Sequence, residues 1–186
     1  DSTLEYGPCI SKPSCCGVRE RRIGIATFRQ KTGSGVTPAC SRAVARPALF
    51  VLSTPRAGSS LLQLCLEASP LLYAPQELYL LPFDTLDERI KVIGRAAGLD
   101  GGLIAAVGNL RGDAGALVAS WEANKVNTRH AYRMLVEWTA PRLFCDKTPG
   151  YAFDSTTLSR TERLMASPRY LSTVRHPVAC IESWIE

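Results

Sequence analysis

Arg56-Ala57-Gly58-Ser59-Ser60 combines a fixed positive charge, a residue without a Cβ and two hydroxyls. The apolar run Ala48-Leu49-Phe50-Val51-Leu52 precedes this segment, and the leucine-rich Leu61-Leu62-Gln63-Leu64-Cys65-Leu66-Glu67 follows it. The order is strand, small-residue loop, helix. Such a turn points several backbone N–H groups at one spot, where the helix dipole also favours an anion. Gly58 lets the backbone approach closely, Ser59 and Ser60 add hydroxyl donors, and Arg56 can grip oxygens in a bidentate fork. The chemistry on offer is phosphate binding, although an ordinary strand-to-helix turn has the same outline. A nucleotide-triphosphate loop, G-x-x-x-x-G-K-[ST], needs a lysine after its last glycine, and Ser59 stands there instead. A kinase or GTPase reading loses its main support.

Two further charged positions fall at strand ends, where ligands of open α/β sheets gather. Asp146-Lys147 follows the strand candidate Arg142-Leu143-Phe144-Cys145, and Arg175 follows Tyr170-Leu171-Ser172-Thr173-Val174. Pro177 then opens a helix at a favourable first position. Lys147 paired only with Asp146 in a solvated loop is the bland alternative. His176 reads as a turn residue and His130 as a structural residue on a helix, so neither is placed in the site.

The elements that must hold these groups alternate. Ala48–Leu52 is an unbroken apolar run, expected of a strand covered on both faces in a parallel sheet. Thr85-Leu86-Asp87-Glu88 is a capping-box pattern leading into a helix to Ala97, and Asn127-Thr128 leads into a helix over Ala131 to Trp138. Leu103 to Asn124 reads as helix interrupted by glycines. Strands alternating with helices predict an open α/β sheet. Residues 1–46 mix Pro, Gly, Ser, Cys and Arg without sustained periodicity and read as a linker or poorly ordered arm, with a short strand around Ile23 to Phe28. Arg19, Arg21 and Arg22 in that arm read as solvated charge. The domain proper is expected over 47–186.

At 186 residues and a formal net charge of +5, one domain is expected, with a positive balance that suits an anionic ligand. The charge is too dispersed for a nucleic-acid stripe. Apolar stretches fall far short of the roughly 20 residues that cross a bilayer. Asp1-Ser2-Thr3-Leu4-Glu5 carries neither an initiator Met nor a secretory pattern, so the sequence is expected to begin inside a longer one. Cys65, Cys145 and Cys180 lie in apolar segments and read as small buried hydrophobes in a reducing compartment. Cys9, Cys15, Cys16 and Cys40 lack metal-ligand spacing, and no metal is expected.

Taken together, Thr54-Pro55-Arg56-Ala57-Gly58-Ser59-Ser60-Leu61-Leu62 resembles the 5'-phosphosulfate loop of sulfotransferases that use 3'-phosphoadenosine 5'-phosphosulfate (PAPS). Ala57 stands where such loops often carry Ser. Asp146-Lys147-Thr148-Pro149-Gly150-Tyr151 and Ala74-Pro75-Gln76-Glu77-Leu78 are similar to segments of the polyketide-synthase-type members, and the tyrosylprotein type is the second resemblance.

The resemblance implies a P-loop-like sulfotransferase fold, a parallel sheet flanked by helices, incomplete in this chain and present as its amino-terminal portion. It implies PAPS as sulfuryl donor, held by Arg56, Ala57, Gly58, Ser59 and Ser60 at its 5' end. Arg175 and Ser183, eight residues apart, match the pair that holds the 3'-phosphate. Glu77, 21 residues after Arg56, matches the general base. A neutral alcohol is a poor nucleophile, and a carboxylate in reach can take its proton. Lys147 would balance charge on the transferred group. Relatives often carry histidine two residues after this glutamate; Tyr79 stands here and is expected to line the acceptor site or pack. The implied acceptor is a hydroxyl, in the polyketide type a β-hydroxyacyl chain on a carrier protein, and the implied compartment is cytoplasmic, or the Golgi lumen for the tyrosylprotein type. A non-catalytic nucleotide-binding fragment and a nucleotide kinase relative remain as alternatives.

Overall fold

A computed structural model of the chain describes residues 24–26, 43–94 and 99–185. In chain order the elements are β1 (Gly24–Ala26), β2 (Ala48–Ser53), α1 (Ser59–Glu67), β3 (Leu72–Tyr73), α2 (Leu86–Ile93), α3 (Gly101–Arg111), α4 (Ala114–Ala123) and α5 (Thr128–Thr139). There follow β4 (Leu143–Lys147), a 3-10 turn (Pro149–Phe153), α6 (Ser155–Leu164), β5 (Pro168–Val174) and α7 (Pro177–Ile185). Cys9, Cys15, Cys16, Cys40, the Arg19 to Arg22 group and the expected helix end at Ala97 lie outside the described residues.

The apolar run of β2 is covered on both faces, and its period of two is visible in what each residue meets. Ala48 and Phe50 enter a large cluster with Tyr132, Leu135 and Phe144. Val51 enters a smaller one with Ala74 and Cys145, packed against Leu62 and Leu66 of α1. Neighbouring strands divide the same way: Phe144 and Tyr170 face the first cluster, Cys145 and Leu171 the second. The sheet order is β1-β5-β2-β4-β3. β2, β3, β4 and β5 are parallel, as strand-helix-strand crossovers require, and β1 adds an antiparallel edge on β5. Just ahead of β2, Val44 is buried and exchanges backbone bonds with Leu164 and Ala166 at the end of α6.

Helix ends follow local chemistry. Thr85 and Glu88 form both halves of the capping box of α2, and the Asn127 side chain accepts from the His130 amide to start α5. The expected helix between Leu103 and Asn124 is two helices, divided at Gly112, whose φ of 85° ends α3. α6 is an element for which the sequence reading held no expectation. Asp154 starts it by accepting from the Thr156 amide. Two placements correct the sequence reading. Cys65 is exposed on α1, while Cys145 alone of the later three cysteines is buried. β4 runs on through Asp146 and Lys147, so both are buried strand residues instead of loop residues.

Candidate functional site

β2 ends at Ser53, and the chain turns through Thr54 to Gly58 to start α1. Arg56 adopts φ 63° and Gly58 φ 89°. Two left-handed residues so close reverse the chain tightly, and the second is a glycine, which adopts that region without strain. Nothing lies within 4 Å of a Cβ built on Gly58, so the turn stays open in front of α1. No side chain caps that helix start. Its first amides therefore face outward at the positive end of the helix dipole, the arrangement that takes an anion.

Arg56 is exposed, yet its side chain is tied to a neighbouring element. Its Nε donates to the Ser183 carbonyl at 2.8 Å and the Ser183 hydroxyl at 3.0 Å, while a terminal nitrogen of Arg175 donates to the Arg56 carbonyl at 2.9 Å. Residues 119 and 127 positions apart in sequence thus meet, because β2 and β5 are adjacent parallel strands and each delivers its loop to the same end of the sheet. Beside them lies a cavity of about 570 Å³, lined by Thr54, Pro55, Arg175, Pro177, Cys180 and Trp184.

A second cavity, about 370 Å³, shares none of these residues and is lined by Ser60, Gln63, Gln76, Glu77, Tyr79 and Lys147. Glu77 is held at both carboxylate oxygens. Lys147 Nζ lies 2.8 Å from Oε1, and the Tyr79 hydroxyl donates to Oε2 at 2.5 Å. The Lys147 side chain is 4% exposed and that of Glu77 30%, so the pair opens towards the cavity at the carboxylate. Desolvation, followed by the bond to Glu77, pushes the Tyr79 phenol up to about 12, so it stays a donor at neutral pH. Tyr79 sits at φ 50°, a strained region for a bulky residue, which marks its position as imposed by its surroundings.

One contributor was not visible in the sequence. A Cβ on Gly102, at the start of α3, would lie 2.0 Å from the Glu77 carbonyl oxygen. Only glycine admits that approach, and the pattern Asp100-Gly101-Gly102 reads merely as a break before a helix. His130 and His176 are both exposed and meet neither cavity.

The profile of the sulfotransferase family fits residues 47–186. The chain belongs to the sulfotransferase family. Two solved sulfotransferase domains are similar in structure. That of the Synechococcus PCC 7002 olefin synthase is 36% identical, with a TM-score of 0.75 over 78% of this chain and 54% of that one. The sulfotransferase domain from the curacin biosynthetic pathway is 38% identical, with a TM-score of 0.68 over 76% of this chain and 51% of that one. The chain thus spans about half the length of these two sulfotransferase domains. No curated protein matches.

Proposed function

We propose that this chain contributes the donor site and the base of an enzyme that moves the sulfuryl group of PAPS to an acceptor hydroxyl. The observation that carries the reading is that one loop borders both parts of the site. Its Arg56 meets Arg175 and Ser183, and Ser60 at its end lines a cavity with Glu77 and Lys147.

The residues fit the donor. The uncapped start of α1 and the open space at Gly58 suit the 5' end, with Ser59 and Ser60 adding hydroxyl donors. Arg175 and Ser183 suit the 3'-phosphate, and Arg56 between the two positions holds Ser183 in place until an anion competes for its guanidinium. When bound, PAPS supplies an electrophilic sulfur with a phosphate leaving group. Glu77, paired with Lys147, accepts the proton of the acceptor hydroxyl in the smaller cavity. Lys147 carries three donors, and its bond to Glu77 uses one, so its charge can also offset the negative charge that develops on the transferred group.

The likeness to domains from an olefin synthase and from the curacin biosynthetic pathway supports a carrier-bound β-hydroxyacyl acceptor in the cytoplasm. Incubation of the full-length protein with radiolabelled PAPS and a β-hydroxyacyl carrier protein tests this. Label on the acyl chain is the expected result, and label only on tyrosine-containing peptides would replace the acceptor with a protein side chain.

A further inference from the structure

Lys147 is one residue of a segment whose other members turn inward. Asp146, Thr148 and Tyr151 are buried at 0%, 0% and 1% exposure, and none reaches the cavity that Lys147 and Glu77 share. Their hydrogen bonds lead to the backbone that carries Glu77. The Thr148 hydroxyl accepts from the Leu78 amide at 3.1 Å and, more weakly, from Tyr79 at 3.5 Å. The Tyr151 hydroxyl accepts from the Leu80 amide at 2.9 Å and from Leu81 at 3.3 Å. Residues 78–81 lie between β3 and α2 outside any strand, so these hydroxyls take the place of a sheet partner.

Proton bookkeeping shows what Asp146 does. Each hydroxyl has a single hydrogen. That of Thr148 goes to Asp146 Oδ1 at 2.9 Å and that of Tyr151 to Oδ2 at 3.1 Å, with Tyr132 also donating to Oδ2 at 2.5 Å. An ionised carboxylate only accepts. It therefore turns both hydrogens towards itself and leaves the lone pairs of Thr148 and Tyr151 facing the amides of 78–81. The buried Arg89 donates to the Leu78 carbonyl at 2.9 Å, so the residue next to Glu77 is held at both its amide and its carbonyl.

We propose that Asp146, Thr148 and Tyr151 are positioning residues: a buried carboxylate orients two hydroxyls that fix residues 78–81 and thereby set Glu77 against Lys147. The same six-residue segment, Asp146 to Tyr151, then delivers the lysine and aligns the glutamate opposite it. This rests on the reading of Glu77 as the base. The consequence is kinetic, since a misplacement of about 1 Å in a reacting group costs on the order of 10²-fold in rate.

The test is amide hydrogen exchange, residue by residue, in the folded chain, with kcat and KM for sulfuryl transfer in the full-length protein. Thr148→Val removes the acceptor for Leu78 and Tyr151→Phe that for Leu80. Thr148→Val is expected to speed exchange of Leu78 at least tenfold while Leu80 changes less, and Tyr151→Phe the reverse. Both should lower kcat at least tenfold with KM for PAPS within twofold, and Thr148→Ser should restore both readouts. Exchange at Leu78 and Leu80 that is unchanged, or that rises equally in both variants as after general loosening, would overturn the proposal, and each variant is judged alone if the other does not fold. Full turnover by Glu77→Gln would instead remove the base reading, and the exchange pattern would still decide the positioning.

Discussion

Glu77 and Lys147 are 70 positions apart, yet the carboxylate is held at 2.8 Å by the lysine and at 2.5 Å by Tyr79. Replacing the carboxylate by an amide keeps the shape and removes the proton acceptor. Glu77→Gln should leave PAP affinity within about twofold and lower kcat by about 10²–10⁴-fold, measured by steady-state transfer. Lys147→Met should lower kcat by about 10²–10³-fold, the usual effect of losing one charge-stabilising donor. Asp146 gives a prediction about pH. Burial pushes its carboxyl up to about 6, against the hydroxyls of Tyr132, Thr148 and Tyr151 and the Lys147 charge, which pull it down. Its folded pKa lies above the unfolded value, so between about pH 4 and about pH 6 the folded chain holds a proton that the unfolded chain has released. The contribution of this group to stability must therefore fall as pH rises through that window. In urea unfolding, the stability of the wild type relative to Asp146→Asn should rise as pH drops from 6 to 4; a difference independent of pH would mean that Asp146 does not titrate there. Residue types carried the site pattern in the sequence: a glutamate, a lysine and two arginines at strand ends. The inward role of Asp146 was not legible, because a carboxylate beside a lysine reads as its salt-bridge partner, and only the fold shows that the two point in opposite directions along one strand.

Elements supply the alignment. β2, β4 and β5 are adjacent and parallel, so the residues after or at their ends converge whatever their distance in sequence. That much follows from continuous apolar runs, and the expected strands at 48–52 and 170–174 lie inside the observed β2 and β5. β4 ends two residues later than expected: the apolar run stops at Cys145, but Asp146 finds hydroxyl partners and Lys147 a carboxylate, so the strand continues through both. The approach of α3 to the Glu77 backbone was equally hidden, since it depends on the absence of a side chain at Gly102. Gly102→Ala puts a Cβ against backbone, which cannot yield as a flexible side chain would. Overpacking of this kind costs about 1–3 kcal/mol. The variant should unfold at lower temperature and lose turnover beyond what its folded fraction explains, whereas Gly101→Ala, with open space around it, should do neither. Equal effects of the two would show that helix propensity, not contact with Glu77, governs this region.

On the scale of the whole molecule, the two faces of the sheet are unequally covered. α2 to α5 build the large cluster, while α1 and α7 leave Leu61, Leu64, Ile181 and Trp184 about 60–67% exposed. Ser60 and Leu64 of α1 line the smaller cavity and Ile181 and Trp184 of α7 the larger, and the chain spans about half of the solved sulfotransferase domains it resembles. Recognition of a 3'-phosphate by Arg175 and Ser183 is the central proposal, since that group separates PAPS from other adenine nucleotides. Calorimetric titration of the full-length protein with PAP and with ADP measures it directly. PAP is expected to bind at least tenfold more tightly, about 1.4 kcal/mol, and Arg175→Ala to abolish the difference. Equal affinity for PAP and ADP in the folded protein would contradict it and leave the loop a general anion site.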